Sequence, residues 1–208
     1  MKTKSSRVQH NREVAMQAIL DTARLIMREE GVAALSMQEL ARRMDMRAPS
    51  LYNYFSSKMD IYNALFRLGY TLFDEHTLKY LEKARNLHDM LRAYLEGYMS
   101  FAMENPELYQ LCFERPVPGF VPSEASLAIS LGLLDRSRRR VKELKKRLDT
   151  RLSSEQIVNL LIAVSHGLTA MHLANEPHLP VGQGRFGSLI PATVAMLEQI
   201  LPPKGVRK

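Results

Sequence analysis

Ser36-Met-Gln-Glu-Leu-Ala-Arg-Arg-Met-Asp-Met-Arg-Ala-Pro-Ser-Leu-Tyr-Asn-Tyr-Phe-Ser-Ser-Lys-Met-Asp-Ile61 reads as two short helices and the start of a third. Ser36, with Glu39 three residues on, has the pattern of a capping box, in which side chains take up the free amide hydrogens of a first turn. Met37, Leu40, Ala41 and Met44 then form one apolar side at helical spacing. Asp45-Met46 is a tight break, and a second helix is predicted from about Arg47 to Phe55, with Pro49 tolerated in its first turn. Ser57 with Asp60 reads as another box and opens a long helix, 57–82, carrying Ile61, Leu65, Leu68 and Leu72. A helix over about 9–30, with Met16, Ile19, Leu20, Ala23, Ile26 and Met27 on one stripe and Gly31 as its stop, braces the pair from in front.

Two short helices across a tight turn make a helix-turn-helix, whose second helix fits the DNA major groove. Ala41 is small where the two would cross. Leu51 and Phe55, four apart, face inward, which leaves Arg47, Ala48, Ser50 and Asn53 outside. Such residues suit base edges: arginine pairs with guanine and asparagine with adenine. Lys58 stands in a first helical turn, where the helix dipole disfavours a cation. A phosphate at that end reverses the sign and makes an anion clamp with the free amides.

The remainder also follows helical spacing. About 86–104 carries Leu91, Leu95, Tyr98 and Phe101; Asn105-Pro106 reads as the cap and first residue of a short helix to Phe113. Pro116–Pro122 is loop, about 123–149 is a helix that turns basic, and Ser153 with Gln156 boxes the start of 154–174. Glu176–Gly184 is loop and a last helix, 186–201, ends before Pro202-Pro203. The fold expected is all-α, with about nine helices. The domains expected are a head over 1–56 and a body over 57–208, joined through helix 57–82.

Composition agrees. The chain has 208 residues, a formal charge of +7 and one cysteine. The charge favours a polyanionic partner. A single Cys112 excludes an internal disulfide and a cysteine-based zinc site, and reads as a small buried hydrophobe. No apolar run is read as approaching the roughly 18–20 residues of a membrane helix, and the basic N-terminus lacks a following apolar stretch, so a cytoplasmic protein with no membrane partner is expected. No phosphate loop, nucleophile elbow or His-Glu zinc motif is seen. His166 and His172, six apart, point to different helix faces. Neither enzymatic activity, cofactor nor metal is expected.

Residues 36–61 resemble the signature of the tetracycline-repressor (TetR) family, above all in Leu51-Tyr52, Tyr54-Phe55 and Ser57-Lys58. The resemblance implies that Arg47–Tyr54 is the recognition helix and that Tyr52, Tyr54, Lys58 and the Ser36 end of the preceding helix touch phosphates. Ser36, Met37, Arg47, Ala48, Pro49, Ser50, Tyr52, Asn53, Tyr54 and Lys58 are therefore the candidate DNA-binding set. The family's turn usually has glycine where Asp45 stands; aspartate tolerates the left-handed backbone better than most residues. A basic arm, residues 1–8, is expected to add phosphate or minor-groove contacts.

The body, by the same resemblance, dimerises and senses a small molecule. Phe101–Tyr109 with Ser165-His166-Gly167-Leu168 resembles a C-terminal subtype with a His-Gly-Leu motif. Tyr94, Tyr98, Phe101, Met103, Tyr109, Phe113 and His166 are the candidate lining of a largely apolar effector site. Leu160, Val164, Gly167, Leu168, Met171, Val194, Leu197 and Leu201 are the candidate dimer interface. Gly167 inside a helix costs about 1 kcal/mol against alanine, which calls for a close approach there. The basic run 136–151 reads as a solvated face, a second DNA surface or an acidic-partner surface. The function expected is a homodimeric repressor on a palindromic operator, released by an effector. The alternatives are a non-specific nucleic-acid-binding protein and a regulator without ligand.

Overall fold

The computed structural model describes residues 4–205. Helices α1 (Lys4–Glu30), α2 (Met37–Arg43), α3 (Ala48–Leu51), α4 (Lys58–Leu81), α5 (Leu87–Glu104), α6 (Pro106–Tyr109), α7 (Glu124–Lys145), α8 (Ser154–Asn175), α9 (Gly184–Gly187) and α10 (Ile190–Ile200) follow in order. A 3₁₀ turn, Val32–Ala34, precedes α2, and a π-helical turn, Gln110–Glu114, follows α6. Among the described residues there is no β-strand, only an isolated bridge between Leu148 and Pro203. The fold is all-α, as the spacing predicts.

Capping sets the boundaries. Ser36 accepts from the Glu39 amide at 3.1 Å, Asn86 from Asp89 at 2.8 Å, and Ser57 from Asp60 at 3.2 Å. Ser153 and Gln156 make both halves of a capping box. At Ser36 the reciprocal half is missing because the Glu39 carboxylate is held by Arg42 and Arg43 instead. Asn105 stands between two helices: it ends α5, its side chain donating back to the Phe101 carbonyl at 3.2 Å, and it directly precedes Pro106, the first residue of α6 as expected. The first helix starts at Lys4, not near residue 9, so residues 4–8 of the expected arm are helical and residues 1–3 lie outside the described residues.

Two compact units divide the chain: Met1–Gly69 with Pro106–Leu127, and Tyr70–Asn105 with Ala128–Lys208. In the first, Ile19, Ala23, Ile26 and Met27 of α1 are buried together with Val32, Leu35, Leu40, Ala41, Leu51, Phe55, Ile61 and Leu65. The Tyr62 hydroxyl donates to the Val32 carbonyl at 2.7 Å, fixing the 3₁₀ turn to α4. Glu107 of α6 is fully buried and accepts from Arg24 Nε at 2.7 Å and Arg28 Nε at 2.5 Å on α1. Cys112 is buried as expected, with Phe66 O beside its sulfur, and burial pushes the thiol pKa up.

The second unit has its own core. Leu91, Leu95 and Met99 of α5 pack with Val141, Leu148, Ile157, Val158, Ile190, Val194, Leu197 and Leu201. Helix α8 is inverted in polarity along its second half. Ser165, Thr169 and His172, on one face, are buried, while Ile162 and Met171 are exposed. His172 donates through Nε2 to the Leu179 carbonyl at 3.0 Å. By length and composition alone α8 is as long and apolar as a membrane-crossing helix, a match that core helices of soluble proteins also make, so the expectation that no segment approaches that length is corrected on this one point. Ser165, His166, Thr169 and His172 break up its apolar letters, yet all are free of fixed charge.

Candidate nucleic-acid interface

Helix α2 ends in a Schellman turn. Met46 N–H bonds the Ala41 carbonyl at 2.9 Å and Asp45 N–H bonds the Arg42 carbonyl at 3.3 Å. The geometry needs a left-handed residue at position 45, and Asp45 supplies it at φ 51. Arg43 then locks α2 to α1. Its Nε bonds Glu39 at 2.7 Å, while its terminal nitrogens take Glu29 and Glu30. Those two carboxylates sit at the C-terminal end of α1, where the helix dipole is unfavourable to them, and Arg43 offsets it. Hydrogen bonds from Arg42 and Arg43 lower the Glu39 pKa to about 2.

The next segment is shorter than predicted as an α-helix. Regular α-helix spans only Ala48–Leu51. Asn53 and Tyr54 continue it with bonds to Ser50 and Leu51 three residues back, and Phe55 bonds Leu51 at 3.0 Å. The inward faces hold: Leu51 and Phe55 are buried. Arg47, Pro49, Tyr52 and Asn53 are exposed, with Tyr52 at 53%. Ser36, Met37, Ala48, Ser50, Tyr54 and Lys58 are half-buried. All ten candidate DNA-binding residues thus belong to one unit and none is buried.

The electrostatics of this surface are cationic at both ends. Lys58, the first residue of α4, has its ammonium 5.9 Å from the Tyr62 ring centroid. Arg12 of α1 lies over the Tyr54 ring at 5.7 Å. Sequence reasoning missed Arg12, which packing brings beside a residue 42 positions on; nothing in its local pattern marks it.

The candidate effector residues divide between the units. In the second, Phe73 meets Tyr98 and Phe101 edge-on, each at 5.3 Å, and Tyr94 lies 6.3 Å from Tyr98. The Tyr98 hydroxyl is 3.4 Å from His166 Nδ1. Burial raises the Tyr94 pKa to about 12. Met103 packs instead against the core of α5, α8 and α10. Tyr109 and Phe113 belong to the first unit, their rings 5.6 Å apart. Phe73, His76 and Tyr80 of α4 join the aromatic group. Sequence reasoning missed them because α4 reads as a connector; their three-and-four spacing is the signal.

The candidate dimer residues need correction on α10. Val194, Leu197 and Leu201 are fully buried within their own unit and offer no surface to a partner. The exposed apolar side chains are Leu189, Met196 and Ile200 on and before α10, with Ile162 and Met171 on α8. Leu160, Val164 and Leu168 are half-buried against the unit's core. Gly167 is exposed, and a Cβ there would meet nothing of its own chain within 4 Å.

Comparison with known proteins places both halves. Residues 19–65 match the profile of bacterial regulatory proteins of the tetR family, and residues 91–187 match that of the tetracyclin repressor-like C-terminal domain. An uncharacterized HTH-type transcriptional regulator, YobS of Bacillus subtilis, is 32% identical over 98 residues, which are 47% of this chain and 50% of that protein. The chain spans about half the length, or less, of the curated relatives it matches. A protein of unknown function from Rhodococcus sp. RHA1 superposes with a TM-score of 0.74 at 20% identity, covering 89% of this chain and 94% of that one. AibR, solved with isovaleryl coenzyme A and operator DNA, superposes with a TM-score of 0.65 at 19% identity, covering 90% and 98%. These structural likenesses show the fold.

Proposed function

The chain belongs to the tetR family of bacterial regulatory proteins, and from that premise we propose that it is a homodimeric repressor acting on a palindromic operator in the cytoplasm. Residues 1–56 form the DNA-binding head and 57–208 the ligand-binding and dimerisation body. Arg47, Ala48, Pro49, Ser50 and Asn53 face base edges. Tyr52, Tyr54 and Lys58 take phosphates, with Ser36 and Met37 at the start of α2 on the same backbone. The observation that carries this reading is the segment 47–55, whose inward residues Leu51 and Phe55 are buried while Arg47, Tyr52 and Asn53 stand exposed.

Two copies related by a twofold axis set their recognition segments about 34–36 Å apart, one turn of DNA. The exposed apolar residues of α8 and α10 supply the self-complementary surface. A largely apolar effector lodges at the aromatic group of Tyr94, Tyr98 and Phe101, with His166 and the Tyr98 hydroxyl as its polar contacts. AibR supports the reading that this architecture serves both DNA and a small molecule. Coupling between such sites is typically about 1–3 kcal/mol, enough to release DNA roughly 5- to 150-fold.

Titration against operator and unrelated duplexes tests the head. Arg47→Ala should weaken operator binding selectively, by about 1–3 kcal/mol. Lys58→Ala should weaken both duplexes alike and lower the salt slope by about 1. Unchanged affinities in both variants contradict the docking.

A further inference from the structure

The chain's charge is not where the head reading alone would put it. Residues 136–151 hold nine arginines and lysines against two acids, an excess of seven, equal to the formal charge of the entire chain. The structure resolves this run into paired and unpaired members. Arg136 bonds Asp74 at 2.5 Å, Arg138 reaches Asp135 and Glu155 at 3.3 Å, and Lys146 bonds Glu143 at 2.6 Å. Arg139, Arg140, Lys142, Arg147 and Arg151 are exposed and make no ion pair among the described residues.

These charges share one side. On α7 and the turn that continues it, Val141 and Leu148 are buried, and Leu144 packs on the same core. Arg139, Arg140, Lys142 and Arg147 occupy the opposite arc, spread over roughly 12 Å of helix axis at 1.5 Å per residue. The C-terminal segment is strapped to the same end. Asp149 N–H bonds the Pro202 carbonyl at 2.7 Å and Lys204 N–H bonds the Arg147 carbonyl at 2.9 Å, which adds Lys204.

We propose that this basic face is a second, sequence-independent contact surface for the phosphate backbone of duplex DNA. Of the cations in the run that are both exposed and outside an ion pair, four of five are arginines, whose planar forks match phosphate oxygens. The arc lacks asparagine and glutamine, the residues that read adenine, and its arginines and lysines suit the phosphates that take half or more of protein–DNA hydrogen bonds. It also lacks an apolar wedge: the exposed large hydrophobic residues skip from Leu131 to Ile162. A membrane-surface helix would need one. This face and the recognition segment share no residue, so each can be removed while the other is measured.

The test uses the full chain and its Arg139→Gln/Arg140→Gln/Lys142→Gln variant, titrated by fluorescence anisotropy against a 30-base-pair duplex of unrelated sequence at several salt concentrations. Each phosphate contact removed lowers the slope of log K against log salt by about 0.9. The triple variant should therefore lose up to roughly 2.7 in slope and at least tenfold in affinity at low salt, with its melting temperature unchanged. The loss should persist in a Lys58→Ala background, where one of the head's own phosphate contacts is removed. An unchanged slope overturns the proposal. So does a variant that keeps its DNA slope but no longer sediments with phosphatidylglycerol vesicles, which would make the face a lipid surface. Failure of Arg47→Ala to alter operator binding would refute the head reading and leave this result intact.

Discussion

Replacing Gly167 by alanine tests the dimer through the sign of its effect. Gly167 lies in the interior of α8, exposed, with open space around a Cβ in its own chain. In an isolated protomer, alanine should therefore stabilise the helix by about 1 kcal/mol, since it restricts the unfolded chain and clashes with nothing. For a chain of this size that is about 2–4 °C in Tm. If the helix packs closely on its copy, the added methyl enters a filled contact, and twice, because a twofold interface uses the same patch on both partners. Overpacking costs about 1–3 kcal/mol per methyl, so about 2–6 kcal/mol per dimer, and at about 1.4 kcal/mol per decade the dimer dissociation constant should rise by roughly 30-fold to 10⁴-fold. Sedimentation velocity over a dilution series reads that constant directly. A raised Tm with an unchanged dissociation constant would refute the assignment of this face.

Three further outcomes follow from the head. Asp45→Gly should stabilise the chain by about 0.5–1 kcal/mol in urea unfolding, since glycine removes the left-handed strain at φ 51 at some entropic cost; it should also tighten DNA binding at low salt by removing a negative charge. Glu39, held at about pKa 2 by hydrogen bonds from Arg42 and Arg43, contributes stability that is complete above its ordinary value near 4.5 and is lost as pH falls toward 2. Glu39→Gln should flatten the melting temperature across that window while leaving the slope above pH 5 unaltered. Glu107→Ala removes the buried carboxylate that Arg24 and Arg28 share and should cost about 1–3 kcal/mol; Arg28 is two-fifths exposed, so water covers part of the loss. Equal denaturation midpoints for variant and parent would rule out a stabilising role for the α1–α6 pair.

Local chemistry makes much of this molecule readable. Ser36, Ser57 and Ser153 cap helices because a short polar side chain before an apolar stripe has one favourable use there. Asp45 can be placed in a left-handed turn from the tolerance of its side chain for that backbone. Which side of α10 faces the core cannot be read, because Leu189, Ile190, Val194, Met196, Leu197, Ile200 and Leu201 form one apolar arc of roughly 160°. A core and a partner surface ask for the same residue types, and only the packed structure separates Val194 from Met196. Asn105-Pro106 marks the start of α6, but nothing local shows that the asparagine side chain also closes α5. Arg12 is invisible because its neighbour Tyr54 is remote in sequence. The basic run is conspicuous, yet which charges are neutralised depends on Asp74 and Glu155, both distant along the chain.

Selection from a random duplex pool by the full chain, followed by sequencing of the bound fraction, bears most directly on the recognition segment. The expected result is enrichment of an inverted repeat with half-sites centred one helical turn apart, and a guanine preference that Arg47→Ala abolishes. A pool that stays random under selection, or a motif that Arg47→Ala and Asn53→Ala enrich equally well, would mean that residues 47–54 do not read DNA.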